Sequence, residues 1–195
     1  PNALQENGSL AILNMMRYFS KIPRSERRRT IKVVIPESHF AEQYISTSAW
    51  IAERPDIVKN SVALIAAEHL GGTEWLSDPI SNTYTPTGEL EVAFAFCPTS
   101  PIRTLARQAV AAQEIGRQAI LNTAEFSFTP GIAAYKKVKM PSFAYISIPS
   151  YLMADDGTSG HLDKLSPKLW YEQFKMLTRM VQAVDMTPAE VLKRA

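Results

Sequence analysis

Residues 60–72 read NSVALIAAEHLGG, and within them 62–68 is apolar at both strand parities until Glu68. A strand with one wet face alternates; a run without a polar face needs cover on both sides, as a central strand between helices has. The run then stops at Glu68-His69 and two glycines, so a carboxylate and an imidazole stand where that strand passes into a loop. The fold depends on whether the rest of the chain supplies helices for both faces. The function depends on whether the Glu68-His69 pair is a site.

Helices are readily found on either side. Over residues 9–22 the apolar positions Leu10, Ile12, Leu13, Met16, Phe19 and Ile22 recur at helical spacing, and Pro23 ends the run. TIKVVIP, 30–36, is β-branched and bounded by a basic loop and a proline, which predicts a strand. FAEQYISTSAWIAE, 40–53, returns to a helical period. SDPISNTYTPTG, 77–88, is turn chemistry, and ELEVAFAF, 89–96, alternates as a strand. SPIRTLARQAVAAQEIG, 100–116, has a serine cap, a proline at the first helical position and a closing glycine. SFAYISI, 142–148, predicts a second buried strand; 165–185 opens on Ser-Pro with a long apolar stripe, and TPAEVLKRA adds a last capped turn. Alternating helices and two-faced strands predict an α/β fold: a three-layer sandwich with a mixed, largely parallel central sheet flanked by helices. Residues 1–195 read as a single domain. The chain enters a helix almost at once and does not open on Met, so it is expected to be the C-terminal part of a longer chain.

Composition narrows the function classes. A net charge of +2 and one short basic run, RSERRR at 24–29 with no aromatics among its charges, predict no nucleic-acid partner. Cys97 is alone, which excludes a disulfide within the chain and a cysteine zinc site. No apolar stretch reaches the roughly 18 residues of a membrane span.

Ligands in open α/β sheets bind where strands end at their carboxyl termini. After 30–36 come Glu37 and His39; after 62–68, Glu68 and His69; after 142–148, a glycine-containing loop with Asp155, Asp156 and His161. All 3 histidines of the chain fall at expected strand exits. Read singly, each is an ordinary strand-end or loop residue. Together, imidazoles and carboxylates from three exits are the donors zinc takes, and a hydrolase needs one further carboxylate to accept a proton from water. A serine hydrolase is disfavoured, since no G-x-S-x-G elbow is present.

The order of these motifs resembles the co-catalytic zinc exopeptidase family of leucyl aminopeptidases, glutaminyl cyclases and the transferrin-receptor ectodomain. QENGSLAIL resembles the family's turn after its metal-bridging acid, RRTIKVVIPESHF its strand before a Glu-Glu pair, NSVALIAAEHLGG its strand ending in an acidic ligand, and FAYISIPSYLMADDGTSGHLDKLSP its late histidine loop. The resemblance implies a zinc-exopeptidase-like domain in which Glu6, His39, Glu68 and His161 ligate metal, one ion rather than two. Glu37 would be the general base, His69 would orient Glu68 or the substrate, and Tyr151 would donate to an oxyanion. The implied reaction is zinc-activated water attacking a peptide or small amide. The family's upstream H-x-D segment has no counterpart here, so an upstream segment or partner chain is expected to complete the domain. The alternative expectation is a catalytically inactive peptidase-like domain that binds or scaffolds.

Overall fold

The computed structural model describes residues 3–35, 46–124, 129–152 and 161–193. Four strands form the central sheet: β1 (Leu64–Glu68), β4 (Ala93–Phe96), β5 (Gln118–Leu121) and β6 (Ser142–Ser147), in the order β1-β6-β4-β5. β1 runs parallel to β6 and β4 parallel to β5, while β4 and β6 are antiparallel, so the sheet is mixed and mostly parallel. The helices are α1 (Ala3–Ser20), α2 (Ser46–Glu53), α3 (Pro55–Asn60), α4 (Ser100–Ala111), α5 (Pro130–Val138), α6 (Pro167–Met186) and α7 (Ala189–Leu192). Strands β2 (Thr73–Asp78) and β3 (Thr83–Leu90) form a separate antiparallel hairpin. Among the described residues, no helix is long and apolar enough to cross a membrane.

The two-faced strand behaves as its composition requires. Ile65 and Ala67 pack with Ala11, Met15 and Phe19 of α1 and with Met176 and Met180 of α6 in one core. Ala66, of the opposite parity, packs with Phe96, Ile132 of α5 and Ala144 in the other. β6, its parallel neighbour, is buried at every position. Helices α1, α4 and α6 therefore cover one face while α2 and α5 cover the other, which is the expected sandwich. α6 opens as its Ser-Pro predicts, with Ser166 Oγ accepting from the Leu169 amide at 3.2 Å. α4 is capped one residue earlier than the serine, at Thr99.

Gly8 sets how closely α1 lies on the sheet. A Cβ there would come 2.2 Å from the Ala67 carbonyl oxygen, so only glycine lets the helix reach β1. Beside it, Asn7 Oδ1 accepts from the Leu70 amide at 2.9 Å and its Nδ2 donates to the Leu70 carbonyl at 2.5 Å. One side chain thus pairs both backbone groups of the residue just past the strand, which β-ladder bonds no longer reach.

Three expectations are corrected. Residues 30–35 join no strand. The Arg28 and Arg29 amides donate to the Asp185 carboxylate at 3.1 and 2.8 Å, and the Arg29 guanidinium donates to the carbonyls of Val184, Asp185 and Thr187. That clasp holds the start of the segment at the C-terminal end of α6, where a cation is favoured. The 77–88 stretch holds not turns alone but most of β3 and the end of β2. Its tight bend is made by Asp78, whose carboxylate accepts from the Ile80 amide and Ser81 hydroxyl at 2.9 and 2.7 Å. The expected single strand at 89–96 is divided between the end of β3 and β4. β5, four half-buried residues at 118–121, has no counterpart among the expected strands.

Candidate functional site

The two parallel pairs end at opposite ends of the sheet, because β4 and β6 are antiparallel. At the β1–β6 end the polar residues are buried. His69 is 2 % exposed and has a positive φ of 53°. Its Nδ1 lies 2.8 Å from the Ser147 carbonyl, so Nδ1 carries the hydrogen, and the Ser147 hydroxyl donates back to the His69 carbonyl at 2.5 Å. The two strand exits are thereby stitched to each other. Next along the chain, the Gly71 amide donates to Gln173 Oε1 at 2.7 Å, and Gln173 Nε2 donates to Tyr145 Oη at 3.2 Å. Burial pushes the Tyr145 phenol well above its ordinary range, so this hydroxyl stays protonated within the network.

His161 and Tyr151 belong to the seat of the β2–β3 hairpin. Tyr151 is fully buried; its hydroxyl donates to the Thr73 carbonyl at 2.7 Å, and its ring meets Tyr84 edge-on. Desolvation, reinforced by the Glu91 and Asp163 charges, pushes its phenol up. His161, 1 % exposed, stands edge-on to the Tyr151 ring at 5.3 Å. The Lys164 ammonium lies 4.6 Å from the Trp75 ring centroid and 3.0 Å from the Asp163 carboxylate. These contacts fasten the hairpin to the sandwich.

Glu68 faces elsewhere. It is 9 % exposed and lines a groove of about 1120 Å³ along the outer edge of β1. Ile12 and Met16 of α1, Trp50 of α2, and Val33 with Ile35 of the clasped segment form much of its walls. Among the described residues β1 pairs with β6 alone, so this groove runs beside an edge of β1 that no described strand pairs.

The other end of the sheet holds a second concavity, and none of the described expected site residues lines it. β4 and β5 are adjacent and parallel, yet the chain leaves β4 into α4 on one face and passes from β5 toward α5 on the other. The carboxyl ends of strands whose connections diverge in this way enclose the crevice where α/β sheets hold ligands. Pro98, Asn122, Thr123, Tyr135, Lys136 and Lys139 line about 540 Å³ there. β5 is the signal that would have located it.

The expected metal set divides as follows. Glu37 and His39 lie outside the described residues, as does the side chain of Glu6. Glu6 itself sits within α1 rather than before a turn that opens it, and the neighbouring Asn7-Gly8 pair serves helix–sheet contact. Glu68 and His161 are both described, but no group of three or more His, Cys, Asp or Glu able to hold a metal ion forms among the described residues. The donors present in the described structure therefore do not fit a zinc ion. Cys97 offers no alternative ligand: burial raises its thiol to about 12, against the lesser opposing effect of Arg103 and Arg107. Searches of protein-family models, curated proteins and solved structures match nothing to this chain.

Proposed function

We propose that the chain is a peptide-binding α/β module, the non-catalytic form of the peptidase-like reading, whose site is the groove along β1. The observation that carries the reading is an edge of β1 that no described strand pairs, inside a largely apolar groove that Glu68 also lines. An open strand edge offers amides and carbonyls in the spacing of another strand, so its fitting occupant is an extended chain. The apolar walls from α1, α2 and residues 33–35 take alternate side chains of that ligand. Glu68, at the last position of β1, supplies an anion where a peptide's free amino terminus would be neutralised. The bound species is then a peptide with an apolar N-terminal segment.

The metal-dependent hydrolase remains the second reading, favoured by one observation: a buried carboxylate at the carboxyl end of the outer strand β1, opening on a groove. Glu6, Glu37 and His39 would have to complete its site. Elemental analysis of protein purified without chelator separates the readings. About one zinc per chain, lost in Glu68→Ala, would favour the hydrolase; the binding reading expects no stoichiometric metal.

The binding reading is tested by anisotropy of a six-residue Val/Ala peptide, fluorescently labelled at its carboxyl end, with free or acetylated amino terminus. The free-amine form is expected to bind roughly tenfold more tightly, about 1.4 kcal/mol, and Glu68→Gln is expected to abolish that preference. Equal affinity for the two forms in the native protein would overturn it.

A further inference from the structure

A peptide whose amino end sits at Glu68, the last residue of β1, must run back along residues 61–67 of the groove, antiparallel to β1. A strand in that place points its side chains alternately at the two helical layers. On the α1 side they meet Ile12 and Met16, both apolar. On the other side they meet α2, whose Trp50 and Ile51 pack with Leu64, a residue of the same strand parity as Glu68. There α2 lines the groove with Trp50 and, one turn earlier, with Thr47.

Thr47 breaks the habit of helical threonines in this chain. A threonine inside a helix ordinarily bonds its hydroxyl to a carbonyl one turn back. Thr104 of α4 and Thr178 of α6 do so, donating to the Ser100 and Phe174 carbonyls at 3.1 and 2.8 Å. Thr47 is 4 % exposed, yet its Oγ1 has no hydrogen-bond partner among the described residues. Thr99 and Thr129 are buried with unmatched hydroxyls too, but neither lines the groove. A hydroxyl kept from water without a partner destabilises the folded chain, and a ligand group that pairs with it removes that penalty.

We propose that the peptide bound along β1 carries a hydroxyl side chain, serine or threonine, at a position facing α2, where Thr47 pairs with it, and apolar side chains at the positions facing α1. A hydroxyl both donates and accepts, so it matches the Thr47 hydroxyl in either sense. The inference rests on the peptide reading of the groove and on the charge match between Glu68 and the ligand's amino end, and it adds a residue that selects sequence. Thr47 is then a specificity residue whose hydroxyl serves the complex and not the free fold.

The test is a serine scan of the free-amine Val/Ala hexapeptide, one position at a time, titrated by anisotropy into the full native chain and into Thr47→Val. Serine is expected to tighten binding about three- to tenfold at positions of one parity only, the yield of one neutral hydrogen bond. Thr47→Val keeps the branched shape, so it is expected to lose that gain while still preferring the free amine over the acetylated form. Its urea midpoint is expected to be at or above that of the native protein, since the hydroxyl has no partner to lose. A native protein that prefers the free amine but gains from serine nowhere, or gains equally in Thr47→Val, would overturn this inference alone. A Thr47→Val protein less stable than the native one would do the same, by showing that the hydroxyl already serves the fold. Absence of the free-amine preference itself would remove the peptide reading and this inference with it.

Discussion

The two ends of the central sheet use polar residues in opposite ways. Where β1 and β6 end, His69, Ser147, Asn7 and Gln173 are buried and hydrogen-bond the backbone of residues 69–71 and 147, tying α1, α6 and the two strand exits together. Where β4 and β5 end, Asn122, Lys136 and Lys139 line a concavity of about 540 Å³. A polar residue at a strand exit is therefore not by itself evidence of a site. What marks scaffold is that the protein itself completes the residue's hydrogen bonds.

If the β1–β6 end is scaffold, damage there appears in stability, and the largest effect is expected at Gly8. Gly8→Ala drives a methyl group into the Ala67 carbonyl; the overlap outweighs the gain in helix propensity and is expected to cost about 3 kcal/mol in urea unfolding. A neutral result would mean that α1 does not rest on β1 as described. Asn7→Ala removes both partners of the Leu70 backbone, with an expected loss of about 2 kcal/mol by the same measurement.

Arg29→Ala separates the clasp at the end of α6 from the core. With carbonyls of Val184, Asp185 and Thr187 losing their donor, about 1–2 kcal/mol is expected, with faster amide exchange confined to the last turn of α6. Spread of that exchange into β6 would show that the clasp supports the sheet as well.

The smallest effect concerns Cys97, which lies just past β4 but is sealed from the crevice by burial. Its folded-state pKa of about 12 lies above the ordinary 9.0, so the folded protein holds the thiol proton that the unfolded chain releases between those values. The contribution is fully present below pH 9 and is lost as pH rises toward about 12. Native protein at pH 8 is expected to react with a thiol reagent at least a hundredfold more slowly than urea-unfolded protein. Comparable rates would place Cys97 in the open crevice instead.

Sequence reading reached the elements whose pattern and packing agree. Residues 62–68 and 142–148 have no polar face and form β1 and β6; the apolar spacing of α1 and α6 and the end signals of α4 mark the helices of one layer. It failed where a tertiary contact overrode local preference. Residues 30–35 have the β-branched composition of a strand, but Arg29, just before them, is held at the end of α6. β3 was hidden because Pro86 and Gly88 read as turn residues, yet they fit an exposed hairpin strand. β5 is four residues long, too short for a period to show. The site followed the same division. His69 directly follows β1 while His161 lies in the seat of the β2–β3 hairpin, and the burial of both could not be read from their neighbours in sequence. The β4–β5 crevice was missed together with β5. Among the described expected site residues, Glu68 ends β1 as expected and lines the large groove.

The sheet also has two outer strands, β1 and β5, and only β1 borders the large groove. Residue-resolved hydrogen exchange with and without the free-amine peptide tests this difference most directly. The account predicts at least tenfold slower exchange at amides in 62–68 when the peptide is bound, with residues 118–121 unchanged. Saturable peptide binding that leaves 62–68 unprotected, or that protects both edges alike, would contradict it.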